Sequence, residues 1–257
     1  MAGRTVWRRW VVFLLLAALF LFLSLSTRAW KLGLAAVFHG GQDLLYPRAD
    51  PSWLVAEHLL LVGISSLFAI GVGVGVGILV TRSGGKQFLP VAEKLAAIAQ
   101  TFPPAAVLAL AVPALGFGFK PTIIALFLYG ILPILRNTLS GLTEVTQEVL
   151  EAARGMGMTD GQVLRRVELP LAMPVILAGI RTSVIVNVGT ATIGATIGAG
   201  GLGAPIVSGL VNQNPAFLAE GTIIVGLLAL TLDAGFAALM SGSSAARRGP
   251  APSGNSR

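Results

Sequence analysis

The chain has 257 residues, 54% of them hydrophobic and only 11% charged, with a mean hydropathy of +0.82 and a net charge of +7. Soluble domains carry about 25% charged residues, so this composition suits a hydrocarbon solvent and excludes an ordinary soluble enzyme. The absence of cysteine excludes disulfides and thiolate metal sites, and the two histidines, His39 and His58, cannot build a metal centre alone.

A helix needs roughly 20 apolar residues to cross about 30 Å of hydrocarbon. Six spans are predicted: residues 10–26, 54–81, 95–117, 121–141, 171–195 and 217–240. The first follows Arg4, Arg8 and Arg9 in the manner of a signal peptide, but no clear small-x-small cleavage site follows it, so it reads as a retained anchor. Residues 28–53, with Pro47 and Pro51, form a polar segment on the outside. Glu57 and His58 open the second span as an outward-facing interfacial pair or as a contact for an external protein. Further along that span, Gly71 with Gly75 and Gly73 with Gly77 present small-xxx-small faces for helix packing or for gating flexibility. Pro103, Pro104 and Pro113 in the third span, Pro133 in the fourth and Pro174 in the fifth predict kinks or breaks.

Lys and Arg set the orientation. With the N-terminus inside, Arg82, Lys86, Lys94, Arg136, Arg154, Arg165 and Arg166 join the terminal arginines in the cytoplasm, against Arg28, Lys31, Arg48 and Lys120 outside. Both termini are therefore expected to be cytoplasmic. Membrane orientation explains the basic excess better than nucleic acid does.

The longest inner loop, 142–170, is more than a connector. Glu144, Glu148 and Glu151 repeat at helical spacing, beside an apolar stripe of Val145, Val149 and Ala152. Gly155 and Gly157 then end that helix. Thr159 or Asp160 can cap a second short helix that runs to Pro170. By periodicity alone the element is either an interfacial amphipathic connector or a docking surface for a cytoplasmic partner.

In the fifth span, Ser183, Asn187 and Thr190 share one face. With Pro103 and Pro104 they would flank a translocation passage; the alternative is helix–helix hydrogen bonding. Arg181 and Asp233 are charges within spans, expected about 15 and 10 Å from the inner face at 1.5 Å per residue. Either they pair, or Arg181 snorkels to the headgroups while Asp233 faces water. Gly198 to Gly203 spells G-x-G-x-x-G after an apolar helix rather than a strand, so it reads as a flexible outer loop or a close approach between subunits, not as a nucleotide site. No Walker A string exists, since Gly84-Gly85-Lys86 lacks both the leading glycine and the following Ser or Thr. The last segment, 241–257, rich in Ser, Gly, Pro and Arg, is expected to be disordered.

Glu151-Ala152-Ala153, three residues, Gly157, nine residues and then Val167-x-Leu169-Pro170 resembles the EAA loop of ATP-binding cassette (ABC) importer permeases. The resemblance spans about residues 55–240 and implies an all-α, six-span permease of the type I importer fold. Its domains would be an anchor and outside segment (1–53), the permease domain (54–240) with a coupling loop (142–170), and the tail. It implies docking of cytoplasmic ABC ATPase subunits through Glu151, Ala152, Ala153, Gly157, Leu169 and Pro170. It further implies an extracytoplasmic substrate-binding protein, a second permease copy or paralogue, and surrounding membrane lipid, with no catalytic residue, metal or cofactor on this chain.

Thr101-Phe102-Pro103-Pro104-Ala105 and the glycines from 194 to 203 are similar to the branch that carries glycine betaine, choline or carnitine; the methionine and amino-acid branch shares the glycine-rich stretch. An ion-coupled secondary transporter would leave the loop unexplained and should carry more carboxylates at depth than Asp233. An intramembrane enzyme would need paired acids, a Ser/His pair or metal ligands at depth, and the spans offer none.

Overall fold

The computed structural model describes residues 2–38 and 43–247, which fold entirely into helices and their connections. His39 and the tail beyond Arg247 lie outside the described residues. Helix α1 (Ala2–Leu25) lies along the last helix, with Arg9 Nη1 donating to the Ala237 carbonyl at 3.4 Å. Ser26 then turns the chain and caps α2 (Thr27–Val37), accepting from Ala29 N–H at 3.2 Å. The segment expected outside is thus partly helical, because Trp30 and Leu34 fall one turn apart and bury together.

Helix α3 (Pro51–Thr81) starts on a proline, whose missing N–H is no loss in a first turn. A short 3₁₀ turn (Lys86–Phe88) leads into α4 (Leu89–Thr101), and α5 (Pro104–Leu115) follows. The predicted third span is therefore two helices of about 20 and 18 Å, each too short to cross the hydrocarbon alone. Phe102 (ψ 134°) and Pro103 (ψ 141°) each precede a proline, which holds both residues extended and breaks the helix twice over. Single prolines do less: Pro113, Pro133 and Pro174 remain inside α5, α6 and α9.

Helix α6 (Phe119–Thr143) is the hub, packed most extensively on α9 and α3. After α7 (Gln147–Gly155), a continuous helical stretch carries α8 (Asp160–Val163), a π turn (Leu164–Glu168), α9 (Leu169–Ala191) and a 3₁₀ turn (Thr192–Ile197). Helices α10 (Gly203–Val211) and α11 (Pro215–Arg247) form a hairpin, and α11 runs past Ser241 into the segment expected to lack structure. Among the described residues, five continuous helical stretches are long and apolar enough to span a membrane, against the six predicted, and the shortfall is the broken α4–α5 pair.

Small residues bring α3, α6 and α9 into close contact. A Cβ on Gly73 or Gly77 would lie 2.9 Å from Ile134 Cγ2 or 2.6 Å from Thr138 Cγ2, and one on Gly179 would lie 2.6 Å from Asn137 Cβ. Gly71 and Gly75 face open space. Of the two small-xxx-small faces, only the 73/77 face is used within the chain.

Candidate functional site

The EAA-like loop folds into two helices joined by a tight turn. Glu144 closes α6 as its C-cap, so it does not share the α7 face with Glu148 and Glu151. At the start of α7 the Glu148 carboxyl is held below the usual carboxylate range by its own backbone N–H and then by the Thr146 hydroxyl. Gln147 Nε2 donates to Glu151 Oε1 at 3.1 Å, one turn along.

The helix ends in a Schellman motif: Met158 N–H bonds the Ala153 carbonyl at 3.2 Å and Gly157 N–H the Arg154 carbonyl at 2.9 Å. Gly157 takes φ +82°, a region that a Cβ disfavours, whereas Gly155 stays helical. Thr159 then caps α8 through a full capping box, with Thr159 N–H donating to Gln162 Oε1 at 2.9 Å and Gln162 N–H donating back to Thr159 Oγ1.

The second loop helix does not stop at Pro170. It passes through the π turn, where Leu169 N–H reaches back to the Leu164 carbonyl, and continues as α9. Pro170 follows directly on that π turn, so its missing N–H falls where the helical hydrogen-bond ladder is already shifted.

The surface this builds is mixed. Glu148, Val149, Glu151 and Ala152 of α7 and its C-cap Met156 are exposed, the last with 71% of its surface open. Ala153 is buried at 2%, so it packs inward in this conformation. Gly157 and Pro170 are exposed and Leu169 is half-buried. Behind α7 lies a cavity of ≈ 990 Å³, lined by Arg82, Arg136, Val145, Leu150 and Glu168 among others.

One strong ion pair sits beside this loop. Arg82, the C-cap of α3, donates Nη1 to Glu168 Oε1 at 3.1 Å and Nη2 to Glu168 Oε2, a bidentate pair on a carboxylate that is 5% exposed. Neither residue stands out by local pattern, because 86 positions separate them.

The expected path residues divide. Ser183 and Asn187 are fully buried in the α3–α6–α9 seam; Asn187 Nδ2 donates to Ser66 Oγ at 3.3 Å, and a Cβ on Gly130 would come within 2.8 Å of Ser183 Oγ. Both therefore sit in helix–helix packing in this conformation. Thr190 is half-buried and donates to the Val186 carbonyl, while Pro103 and Pro104 mark the α4–α5 break. Arg181 and Asp233 form an ion pair, with Nε and Nη2 at 2.7 and 2.6 Å from Oδ1 and side chains 33% and 40% exposed.

The opposite end is built by close approach. His58 is fully buried with Nε2 3.0 Å from the Val188 carbonyl, rather than facing outward as expected. Glu57 accepts from Gly201 N–H at 2.9 Å and from Trp53 Nε1. Gly198, Gly200 and Gly201 all take positive φ, and a Cβ on Gly200 would lie 2.5 Å from Glu57 Oε2, so the glycine string closes over Glu57 and His58 of the same chain. Tyr46 N–H donates to buried Glu220 Oε2 at 2.8 Å, clipping the segment before α3 onto α11. Among the described residues, no three His, Asp or Glu side chains gather as a metal site.

Comparison with known proteins places this geometry. The family model described as the binding-protein-dependent transport system inner membrane component matches residues 73–242. The chain is 43% identical over 223 residues to the osmoprotectant import permease protein OsmY of Salmonella typhimurium, covering 87% of this chain and 88% of that one. It is 42% identical over 193 residues to the glycine betaine/carnitine/choline transport system permease protein OpuCB of Bacillus subtilis, covering 75% and 85%. Its fold matches a chain of the MetNI methionine ABC transporter in an inward-facing conformation, with a TM-score of 0.67 at 24% identity over 75% of this chain and 97% of that one.

Proposed function

Because the chain belongs to the family of binding-protein-dependent transport system inner membrane components, we propose that it is the permease through which an ABC importer takes up a small osmoprotectant such as glycine betaine, choline or carnitine. The chain is a transport subunit of the inner membrane, not an enzyme, and ATP hydrolysis belongs to a separate subunit. The observation that carries the substrate class is the identity of 42–43% over most of the chain to permeases named for osmoprotectants and for glycine betaine, carnitine and choline. The likeness to the methionine transporter supports the fold only.

The mixed apolar and acidic surface of α7 supports its role as the ATPase docking site. Exposed Val149 and Met156 beside Glu148 and Glu151 offer both buried area and charge to a partner. Arg82, Arg136, Arg154, Arg165 and Arg166 gather at the same end, which supports a cytoplasmic orientation for it. A second permease copy would complete the passage, and a binding protein would deliver substrate at the glycine-string end. Nucleotide binding would then bias two packings of the helices through α7.

Uptake of radiolabelled glycine betaine, choline, carnitine and methionine tests this reading, in cells lacking other importers and expressing the chain with its ATPase and binding-protein subunits. Import of at least one quaternary ammonium compound and not of methionine is the expected result. Import of methionine alone refutes it.

A further inference from the structure

The bidentate Arg82–Glu168 pair lies between the docking loop and the membrane helices, and four observations bear on what it does. The Glu168 carboxylate is nearly sealed from water, and both its oxygens are held by one guanidinium. A carboxylate so placed is strongly disfavoured without its cation, so the two groups move together or the pair is lost at a large penalty.

The pair also sits at a defect in the helix. The Leu164–Glu168 π turn inserts an extra residue between α8 and α9, which rotates everything after it by about a third of a turn relative to the loop. Glu168, the last residue of that turn, is buried against Arg82 at the end of α3, while Arg165 and Arg166 remain exposed. Its partner is equally fixed. Arg82 caps α3, and its guanidinium also donates to Thr81 Oγ1 from Nε at 3.4 Å and Nη2 at 3.2 Å.

Finally, α7 is backed only in part by packed side chains, through Ala153. The ≈ 990 Å³ cavity lies behind it, with Arg82 and Glu168 in the wall. A push on α7 therefore passes into the membrane helices through the chain after the Schellman turn, along α8, rather than by compressing packed side chains. Helices α3, α6 and α9 interlock through Gly73, Gly77 and Gly179, so a displacement reaching both α9 and the end of α3 turns all three as one body.

We propose that Arg82 and Glu168 are positioning residues that lock the inner end of α3 to the coupling loop, so that displacement of α7 by the ATPase moves the α3–α6–α9 unit instead of being lost in the loop. The inference rests on the reading of the chain as an ABC importer permease. It adds the physical link between the docking helix and the transmembrane body.

The test uses the full importer, permease with ATPase and binding protein, reconstituted in liposomes, and reads substrate imported per ATP hydrolysed. Wild-type import is the benchmark; if the wild-type complex imports nothing in response to ATP, the permease reading itself fails. Glu168→Gln and Arg82→Gln should keep the ATPase bound and hydrolysing, while import per ATP falls about tenfold, within the roughly 5- to 150-fold range of coupling between linked sites. The exchanged pair, Arg82→Glu with Glu168→Arg, should recover most of it. Unchanged import per ATP in both single variants overturns the proposal. Should the single variants fail to assemble, the exchanged pair decides: recovery of assembly together with coupling supports the link. Recovery of assembly without coupling, or no recovery, assigns the pair to stability alone and overturns it.

Discussion

The Arg181–Asp233 pair joins α9 to α11 within the spanning segments, and removing one partner isolates the other. A lone charge near a span centre costs about 2.5–3.5 kcal/mol on insertion scales. The two side chains are 33% and 40% exposed within the chain, so some of that penalty is already relieved by their surroundings. Asp233→Ala should therefore destabilise the protein by about 2 kcal/mol, because Arg181 loses both short contacts to Oδ1. The double change Arg181→Ala with Asp233→Ala strands no ion and should be about 1 kcal/mol less harmful than the single change to Asp233. Denaturant titration of the purified permease in detergent, followed by intrinsic fluorescence, gives the four free energies of the cycle. Losses that add to within about 0.5 kcal/mol would mean that the two groups act independently, and the pair would then hold nothing together.

The turn after α7 offers a backbone test. Gly157 has φ +82° and nothing within 4 Å of a built Cβ, so Gly157→Val should act through backbone strain alone, by about 1–2 kcal/mol or more for a β-branched residue. Transport and ATPase co-purification should fall while membrane insertion is kept; survival of both would remove the loop from the coupling role. The α3 glycines supply a contrast: Gly77→Ala, whose Cβ would sit 2.6 Å from Thr138 Cγ2, should lower stability by about 1–3 kcal/mol. Gly75→Ala, with open space around it, should leave it unchanged or up to about 1 kcal/mol higher; equal melting temperatures for the two would contradict the interlock. The chain has no cysteine, so single cysteines report cleanly. Cysteine at Met156 or Val149 should react with water-soluble thiol reagents and become protected when the ATPase is added, whereas cysteine at Ser183 or Asn187 should stay protected. Labelling of Ser183→Cys in any state of the cycle would restore that position to the passage.

The sequence alone determined the solvent, the all-helical class, the position of the long spans and the stop and cap inside the 142–170 loop, because each of these is decided locally. Hydropathy is a sum over neighbours in the chain, a proline removes a hydrogen bond from its own turn, and Gly157, Thr159 and Gln162 write a stop and a cap within a few residues. Even the break in the third span was local, since two successive prolines impose two extended residues.

Tertiary structure decided what depends on which helix lies alongside. Nothing in the Gly71 to Gly77 repeat says which face meets α6, and nothing near His58 foretells its burial against α9. The polar stripe of Ser183 and Asn187 has the same period whether it lines water or packs against Ser66 and Gly130. Arg82 and Glu168 read as ordinary loop charges until the packed helices bring one against the other across 86 residues of chain. A helical period sets which side chains share a face, while the partner of that face is chosen only when the helices pack, and the role of a buried polar group follows from that partner.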